Sequence, residues 1–426
     1  MRKKYYIALL AGLLTAACSQ QDEPVVPGEE AVAIGFTASL GAATDDWTVT
    51  RAGTGQDAAR PSQASLAGFG GRGIVATGEC ALFNGPPAVT RADTDLNDNR
   101  LKGLDWEGPS GFGVFAAYTG LHKYSESDVT SDFMYNDHVT WDSGTGKWGY
   151  SPLRYWPNGL GTSGVQANDL PHYVSFFGYA PYSFSGSEAA DPGENAADYC
   201  IQSFHYASEH TNPWLIYRLH TDVTKQVDLL FAQKLDQTKP VGAENTPVQF
   251  GFRHALACVG DVVTLVPTDD VKAAIDMRGD GTKIRLTHVS VTYELTEKAR
   301  LVLWSPTDGV ANWQPVLSEN FLTERTVTLL DKLDNPEEGT VIYTAPNGTV
   351  GNNVMQDKGV YYIPLEVGST RQKATVHVTY DVVDSAGEVL LTQVGESSLL
   401  LSDPAYSEAY QPGKRLDIKV TLDNFR

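Results

Sequence analysis

Val32-Ala33-Ile34-Gly35-Phe36-Thr37-Ala38-Ser39-Leu40 is the stretch whose reading decides the fold. Val32, Ile34, Phe36, Ala38 and Leu40 fall on one face, and Ala33, Gly35, Thr37 and Ser39 on the other. A period of two with one apolar face predicts a half-buried strand. The alternation returns at the far end in Leu416-Asp417-Ile418-Lys419-Val420-Thr421-Leu422. There Leu416, Ile418, Val420 and Leu422 face one way, and Asp417, Lys419 and Thr421 the other. Between these two segments, strands are predicted at 112–118, 173–179, 248–252, 262–266, 283–295, 359–367, 374–383 and 389–393. Helical periodicity is confined to short pieces such as 271–277. Many strands and no βαβ rhythm predict an all-β chain of antiparallel β-sandwiches.

At 426 residues the chain has room for two or three domains. Apolar residues make up 42% and charged residues 20%, enough for a packed core and too apolar for wholesale disorder. There are 32 Lys and Arg against 52 Asp and Glu, a net charge of −20, so the basic footprint of a nucleic-acid binder is missing. Residues 41–110 are rich in Gly, Ala, Asp, Thr and Arg and carry few sustained apolar patterns. They read as a long loop, of the kind that is functional or disordered. A second composition break, Asp236-Gln237-Thr238-Lys239-Pro240, precedes a new strand. The predicted division is therefore a signal peptide at 1–17, one sandwich over 18–240 and a second over 241–426.

Arg2, Lys3 and Lys4 precede an apolar run that reaches Cys18 and is too short to span a bilayer. Leu14-Thr15-Ala16-Ala17-Cys18 resembles a bacterial lipobox, with Cys18 as the lipidated residue and the outer membrane as its anchor. Loss of residues 1–17 leaves 29 basic against 52 acidic residues, a net of −23. The three remaining cysteines, Cys80, Cys200 and Cys258, allow at most one disulfide within a chain. Cys258, in the run Ala255-Leu256-Ala257-Cys258-Val259, reads as a buried thiol.

Catalytic signatures are weak. No H-E-x-x-H, G-x-S-x-G, phosphate loop or C-x-x-C occurs. His205 and His210 read as loop histidines rather than a metal pair. Residues 93–98 echo the start of a calcium loop, but Asp98 stands where that loop needs Gly and Leu104 where it needs Glu. His254 sits in a strand-like run and reads as a core histidine. Neither a metal, a cofactor nor an enzymatic activity is expected. Trp141, Trp148, Tyr155, Trp156, Phe176, Phe177 and Tyr182 suit a sandwich core, with sugar stacking as the alternative.

An ordered set of short pieces resembles the fimbrillin family, the lipoprotein-derived subunits of type V pili, including its Mfa-like branch. The pieces are the lipobox at Cys18, the strand Ile34-Gly35-Phe36-Thr37-Ala38, and the tripeptides Thr50-Arg51-Ala52 and Thr90-Arg91-Ala92. Next come Phe112-Gly113-Val114-Phe115-Ala116-Ala117-Tyr118, Tyr155-Trp156-Pro157 and Val174-Ser175-Phe176-Phe177-Gly178-Tyr179-Ala180-Pro181-Tyr182. Phe252-Arg253-His254-Ala255-Leu256-Ala257 and Pro412-Gly413-Lys414-Arg415 complete the set. The resemblance implies two transthyretin-like sandwiches in tandem and a cell-surface, fimbrial location with a role in adhesion. It also implies a first strand that leaves after an arginine-specific surface protease cuts, and a strand from another pilus subunit that takes its place. Arg51 and Arg91 are the two candidate cleavage sites, and residues 32–40 are the displaced strand. Burial of Val32, Ile34, Phe36 and Leu40 would hold that strand by about 6–12 kcal/mol before entropy. Leu416, Ile418, Val420 and Leu422 form a candidate donor strand if they are free, and a fixed part of their own domain if they are paired. The competing reading is a surface lipoprotein that binds host or bacterial glycans through aromatic loops without polymerising.

Overall fold

The computed structural model describes residues 32–40, 74–82, 98–104, 110–126, 132–157, 171–183, 200–205, 212–240, 246–316, 322–346, 348, 354–356, 359–365, 371–401 and 412–423. Its strands run in chain order as β1 (Phe36–Leu40), β2 (Ile74–Leu82), β3 (Phe112–Gly120), β4 (Asp132–Asp142), β5 (Lys147–Gly149), β6 (Tyr173–Ala180) and β7 (Ile201–His205). They continue as β8 (Trp214–Arg218), β9 (Leu230–Gln237), β10 (Val248–His254), β11 (Ala257–Pro267), β12 (Lys283–Thr296), β13 (Lys298–Val302) and β14 (Asn312–Gln314). The last seven are β15 (Leu322–Asp331), β16 (Thr340–Thr344), β17 (Val354–Gln356), β18 (Val360–Tyr362), β19 (Lys373–Val383), β20 (Val389–Leu400) and β21 (Lys414–Leu422). The all-β expectation holds. One helix of two turns, Asp269–Asp276, starts at Thr268, whose hydroxyl accepts from the Val271 amide at 3.3 Å, and buries Val271 and Ile275.

A seven-stranded sheet in the order β1-β10-β9-β6-β3-β4-β5 forms the amino-terminal layer. Both of its faces are covered. Phe112, Val114, Val174 and Phe176 enter one core with Ile34, Phe36, Phe250 and Phe252. The alternate residues Phe115, Ala117, Phe177 and Tyr179 enter a second core that continues through the rest of the molecule. This explains why β3 and β6 read as continuous apolar runs rather than as alternation. The carboxy-terminal half stacks two five-stranded sheets. One has the path β17-β11-β21-β2 with β18 also on β11, and the other β15-β12-β19-β20 with β16 also on β12. A four-stranded sheet, β14-β13-β8-β7, joins residues from both halves.

Two expectations need correcting. The break at 236–240 does not end the first sheet, because β10 lies beyond it and pairs with β9 through Arg253 to Phe231 and His254 to Leu230. The apolar face of β10, with Val248, Phe250 and Phe252 buried, completes the aromatic core of the preceding half. Residues 41–110 are not one loop, since β2 lies within them and crosses to the carboxy-terminal half, where it pairs with β21. Its pattern of small residues, Ala76-Thr77-Gly78, gives almost no periodic signal.

Candidate functional site

The site comprises the seats of the two strands that precede residue 90 among the described residues. The first seat holds residues 32–40. Ala33 forms an antiparallel bridge with Tyr155. On either side of it the Ile34 amide donates to the Arg154 carbonyl at 2.8 Å and the Trp156 amide to the Val32 carbonyl at 3.0 Å. The chain then changes neighbour. The Val248 amide donates to the Gly35 carbonyl at 2.8 Å, and Phe36 to Leu40 pair in parallel with Val248 to Phe252. The segment thus bridges β10 and the stretch at 154–156, which lies outside the strands of the sheet.

Phe36 is the anchor. Its ring stacks on Phe250 at 5.8 Å and 12° and meets Phe176 edge-on at 5.7 Å. Tyr150 stands at 5.4 Å and Phe112 at 6.4 Å. Aromatic pairs at these separations add to plain burial. Ile34 and Phe36 are 1% and 3% exposed, whereas Val32, Ala38 and Leu40 are only half-buried. Two full burials rather than four lower the holding energy from side chains to about 3–6 kcal/mol, plus partial terms. The Tyr150 hydroxyl donates to the Ile34 carbonyl at 3.1 Å and accepts from the Arg154 amide at 3.1 Å. Burial pushes that phenol up to about 12, so it remains a donor throughout the physiological range. Beside it, burial raises the Asp137 carboxyl against the pull of Arg154, whose Nε lies 3.7 Å away.

The second seat holds β2, which lies antiparallel along β21 in unbroken register from Ile74 opposite Leu422 to Leu82 opposite Lys414. On its other side the Ala76 amide donates to the Ser397 hydroxyl of β20 at 3.0 Å. The strand therefore fills the gap between the ends of the two stacked sheets. Ile74 and Ala76 are buried. A Cβ on Gly78 would stand 2.6 Å from Leu416 Cδ1 and 3.1 Å from its Cγ, and Leu416 is itself fully buried.

The candidate donor residues Leu416, Ile418, Val420 and Leu422 are all buried within their own domain. Their strand is interior, parallel to β11 on one side and antiparallel to β2 on the other. Cys18, Arg51 and Arg91 lie outside the described residues. So do residues 93–97 and His210. Among the described residues, no group of three potential metal ligands is brought together. His254 is a core histidine, with Nδ1 2.7 Å from Oδ2 of the buried Asp228. Cys200 and Cys258 are buried thiols, and burial pushes that of Cys200 up to about 11, far from a nucleophile. The aromatic residues considered for sugar stacking are largely committed elsewhere. Trp156, Phe176 and Phe177 are buried, and Lys102 Nζ lies 4.8 Å above the Trp141 ring. The sequence signal of β1 was its periodicity. β2 has no comparable signal, and only its pairing reveals it.

A family profile described as fimbrillin-like matches residues 90–423. The match begins after both strands and one residue before Arg91. The fimbrium subunit Fim1C of Phocaeicola vulgatus is 29% identical over 190 residues, which are 42% of this chain and 41% of that protein. The matched region thus spans about two fifths of the relative's length. A crystal structure of a fimbrial protein from Bacteroides vulgatus covers 76% of this chain and 90% of its own at 20% identity, with a TM-score of 0.44. A candidate cell adhesion protein from Bacteroides uniformis covers 79% and 99% at 15% identity, with a TM-score of 0.33.

Proposed function

The chain belongs to the fimbrillin-like family, and from that premise we propose that it is a non-catalytic subunit of a cell-surface pilus that serves adhesion. It is exported as a lipoprotein on Cys18. An arginine-specific protease then hydrolyses the chain after Arg51 or Arg91, and the strand ahead of the cut leaves. An extended strand from another subunit takes the vacated seat by β-augmentation. In this reading the chain acts as an acceptor, because β21 is bonded on both sides.

The observation that carries the proposal is the seating of residues 32–40. They sit at the end of the seven-stranded sheet, hydrogen-bonded along β10, with Phe36 in an aromatic socket. While β1 is in place it covers the edge of β10 and fills that socket, so that edge is closed to another strand. Once severed, it is replaceable by any strand that supplies the same backbone bonds and apolar side chains. The two cuts differ in consequence: hydrolysis after Arg51 frees β1 alone, and hydrolysis after Arg91 frees β1 and β2 together.

The test replaces both Arg51 and Arg91 with Gln in the expressing cell. The expected result is a lipidated, uncut chain and loss of the ladder of assembled subunits. A normal ladder from the double variant refutes release by cleavage.

A further inference from the structure

Far from both strand seats in sequence, the helix Asp269–Asp276 and β12 are joined by Met277-Arg278-Gly279-Asp280-Gly281-Thr282. Arg278-Gly279-Asp280 sets a cation and an anion on either side of a residue with no side chain. All three are exposed, and Met277 ahead of them is 83% exposed. Gly279 has φ +114°, a conformation that other residues rarely adopt. A Cβ there would meet nothing within 4 Å. The glycine is therefore required by the backbone of the turn and not by a neighbour, and its apex is open to solvent.

The base of the turn is fixed on both sides. Before the apex, the Arg278 amide donates to the Ile275 carbonyl at 3.0 Å and the Gly279 amide to the Asp276 carbonyl at 3.3 Å. Ile275 is fully buried, and the Tyr343 hydroxyl donates to Asp276 Oδ1 at 2.8 Å. After the apex, the Thr282 amide donates to the Gly279 carbonyl at 3.2 Å and the Gly281 amide to the Ala345 carbonyl at 3.0 Å. The Ala345 amide returns to the Thr282 carbonyl at 2.8 Å. Thr282 is buried, and a Cβ on Gly281 would stand 2.9 Å from Ser385 Cβ. The Asp280 carboxylate takes no hydrogen bond or ion pair among the described residues.

We infer that Arg278-Gly279-Asp280 is a receptor-binding turn. The partner is an animal-cell surface receptor that reads this tripeptide by its two charges. An acidic pocket of the receptor takes the Arg278 guanidinium through paired, charge-assisted hydrogen bonds. A divalent cation held by the receptor takes the Asp280 carboxylate as an oxygen ligand. Gly279 lets the receptor approach the backbone closely between them. A turn already held at both ends loses little freedom on binding, which favours it over the same tripeptide in an unfolded chain. The inference deepens the adhesive part of the pilus reading and rests on it for its biological setting, but the contact itself needs neither cleavage nor assembly.

The test immobilises the purified, uncut full chain and adds, in magnesium buffer, a soluble integrin ectodomain that binds Arg-Gly-Asp peptides. The parent chain is expected to bind it, EDTA to abolish the binding and a cyclic Arg-Gly-Asp peptide to displace it. Asp280→Glu keeps the charge but carries the carboxylate one methylene further out, and Arg278→Gln removes the cation. Each is expected to weaken binding about 10- to 100-fold, as loss of one partner of an interfacial charge pair does. Amide exchange over 283–295 should stay as in the parent for both, showing that the fold is intact. No binding by the parent chain, binding that survives EDTA, or binding by either variant equal to that of the parent overturns the inference. Should the pilus reading fail instead, cells would show no assembled ladder while the purified chain still bound the ectodomain.

Discussion

The two strands ahead of residue 90 are held by opposite means. β1 pairs over five residues with one strand, and a single large side chain, Phe36, supplies most of its grip. β2 pairs over nine residues, and its inward side chains shrink to nothing at Gly78. The first is fixed by what it inserts, the second by what it avoids inserting. Backbone pairing sets direction in both, but register is set by a knob in one and by the lack of one in the other.

Truncation separates them most sharply. Phe36→Ala empties a socket ringed by Phe112, Tyr150, Phe176 and Phe250. The expected loss is about 3–5 kcal/mol, confined to the amino-terminal sheet, as removal of a buried aromatic generally costs. Hydrogen exchange should rise over 248–252 while 414–422 stays protected; a rise over both would mean that the two seats are coupled.

Enlargement acts on the other strand. Gly78→Leu should cost about 1–3 kcal/mol of β2 seating, read as protection of the β21 amides, with β1 unaffected. A variant as protected as the parent would show that Leu416 yields freely.

The clasp on residues 32–35 is a smaller matter. Tyr150→Phe removes the donor to the Ile34 carbonyl and should loosen β1 by about 1 kcal/mol, measured as faster exchange at Val248. Because burial holds this phenol near 12, its contribution should persist at neutral pH and fade only as the pH rises from the ordinary tyrosine range toward 12.

Asp137 gives the smallest effect, and its sign follows from linkage. Its folded carboxyl is raised by burial, so the folded state favours the neutral form. The stability this group contributes is complete below the ordinary carboxylate range and falls as the pH rises through its raised value. Asp137→Asn should therefore change thermal stability at pH 7 by less than about 1 kcal/mol, despite the loss of the Arg154 pair. It should also flatten the dependence on acid pH; a large loss at pH 7 would make the ion pair the dominant clasp.

How much of this was legible in the sequence follows the same division. The strand at 32–40 announces itself because large and small residues alternate, and so does β21 with Leu416, Ile418, Val420 and Leu422. The position of β10 in the amino-terminal sheet was hidden, since the composition break at 236–240 falls at the end of β9, between two paired strands, rather than at the end of a core. β2 was hidden for a physical reason. A strand selected for a tight seat carries alanine and glycine where periodicity would need bulk, so the feature that suits it to its groove removes its pattern. Arg51 and Arg91 stand out by the tripeptides that contain them, but which strands a proposed cut after either would free depends on where β2 pairs, and pairing across more than 300 residues leaves no local mark.

Amino-terminal sequencing of the subunit recovered from assembled surface fibres tests the central claim most directly. Release of β1 predicts an amino terminus at Ala52, or at Ala92 where β2 leaves with it. A lipid-blocked Cys18 in the assembled subunit, with residues 32–40 still attached, would contradict it.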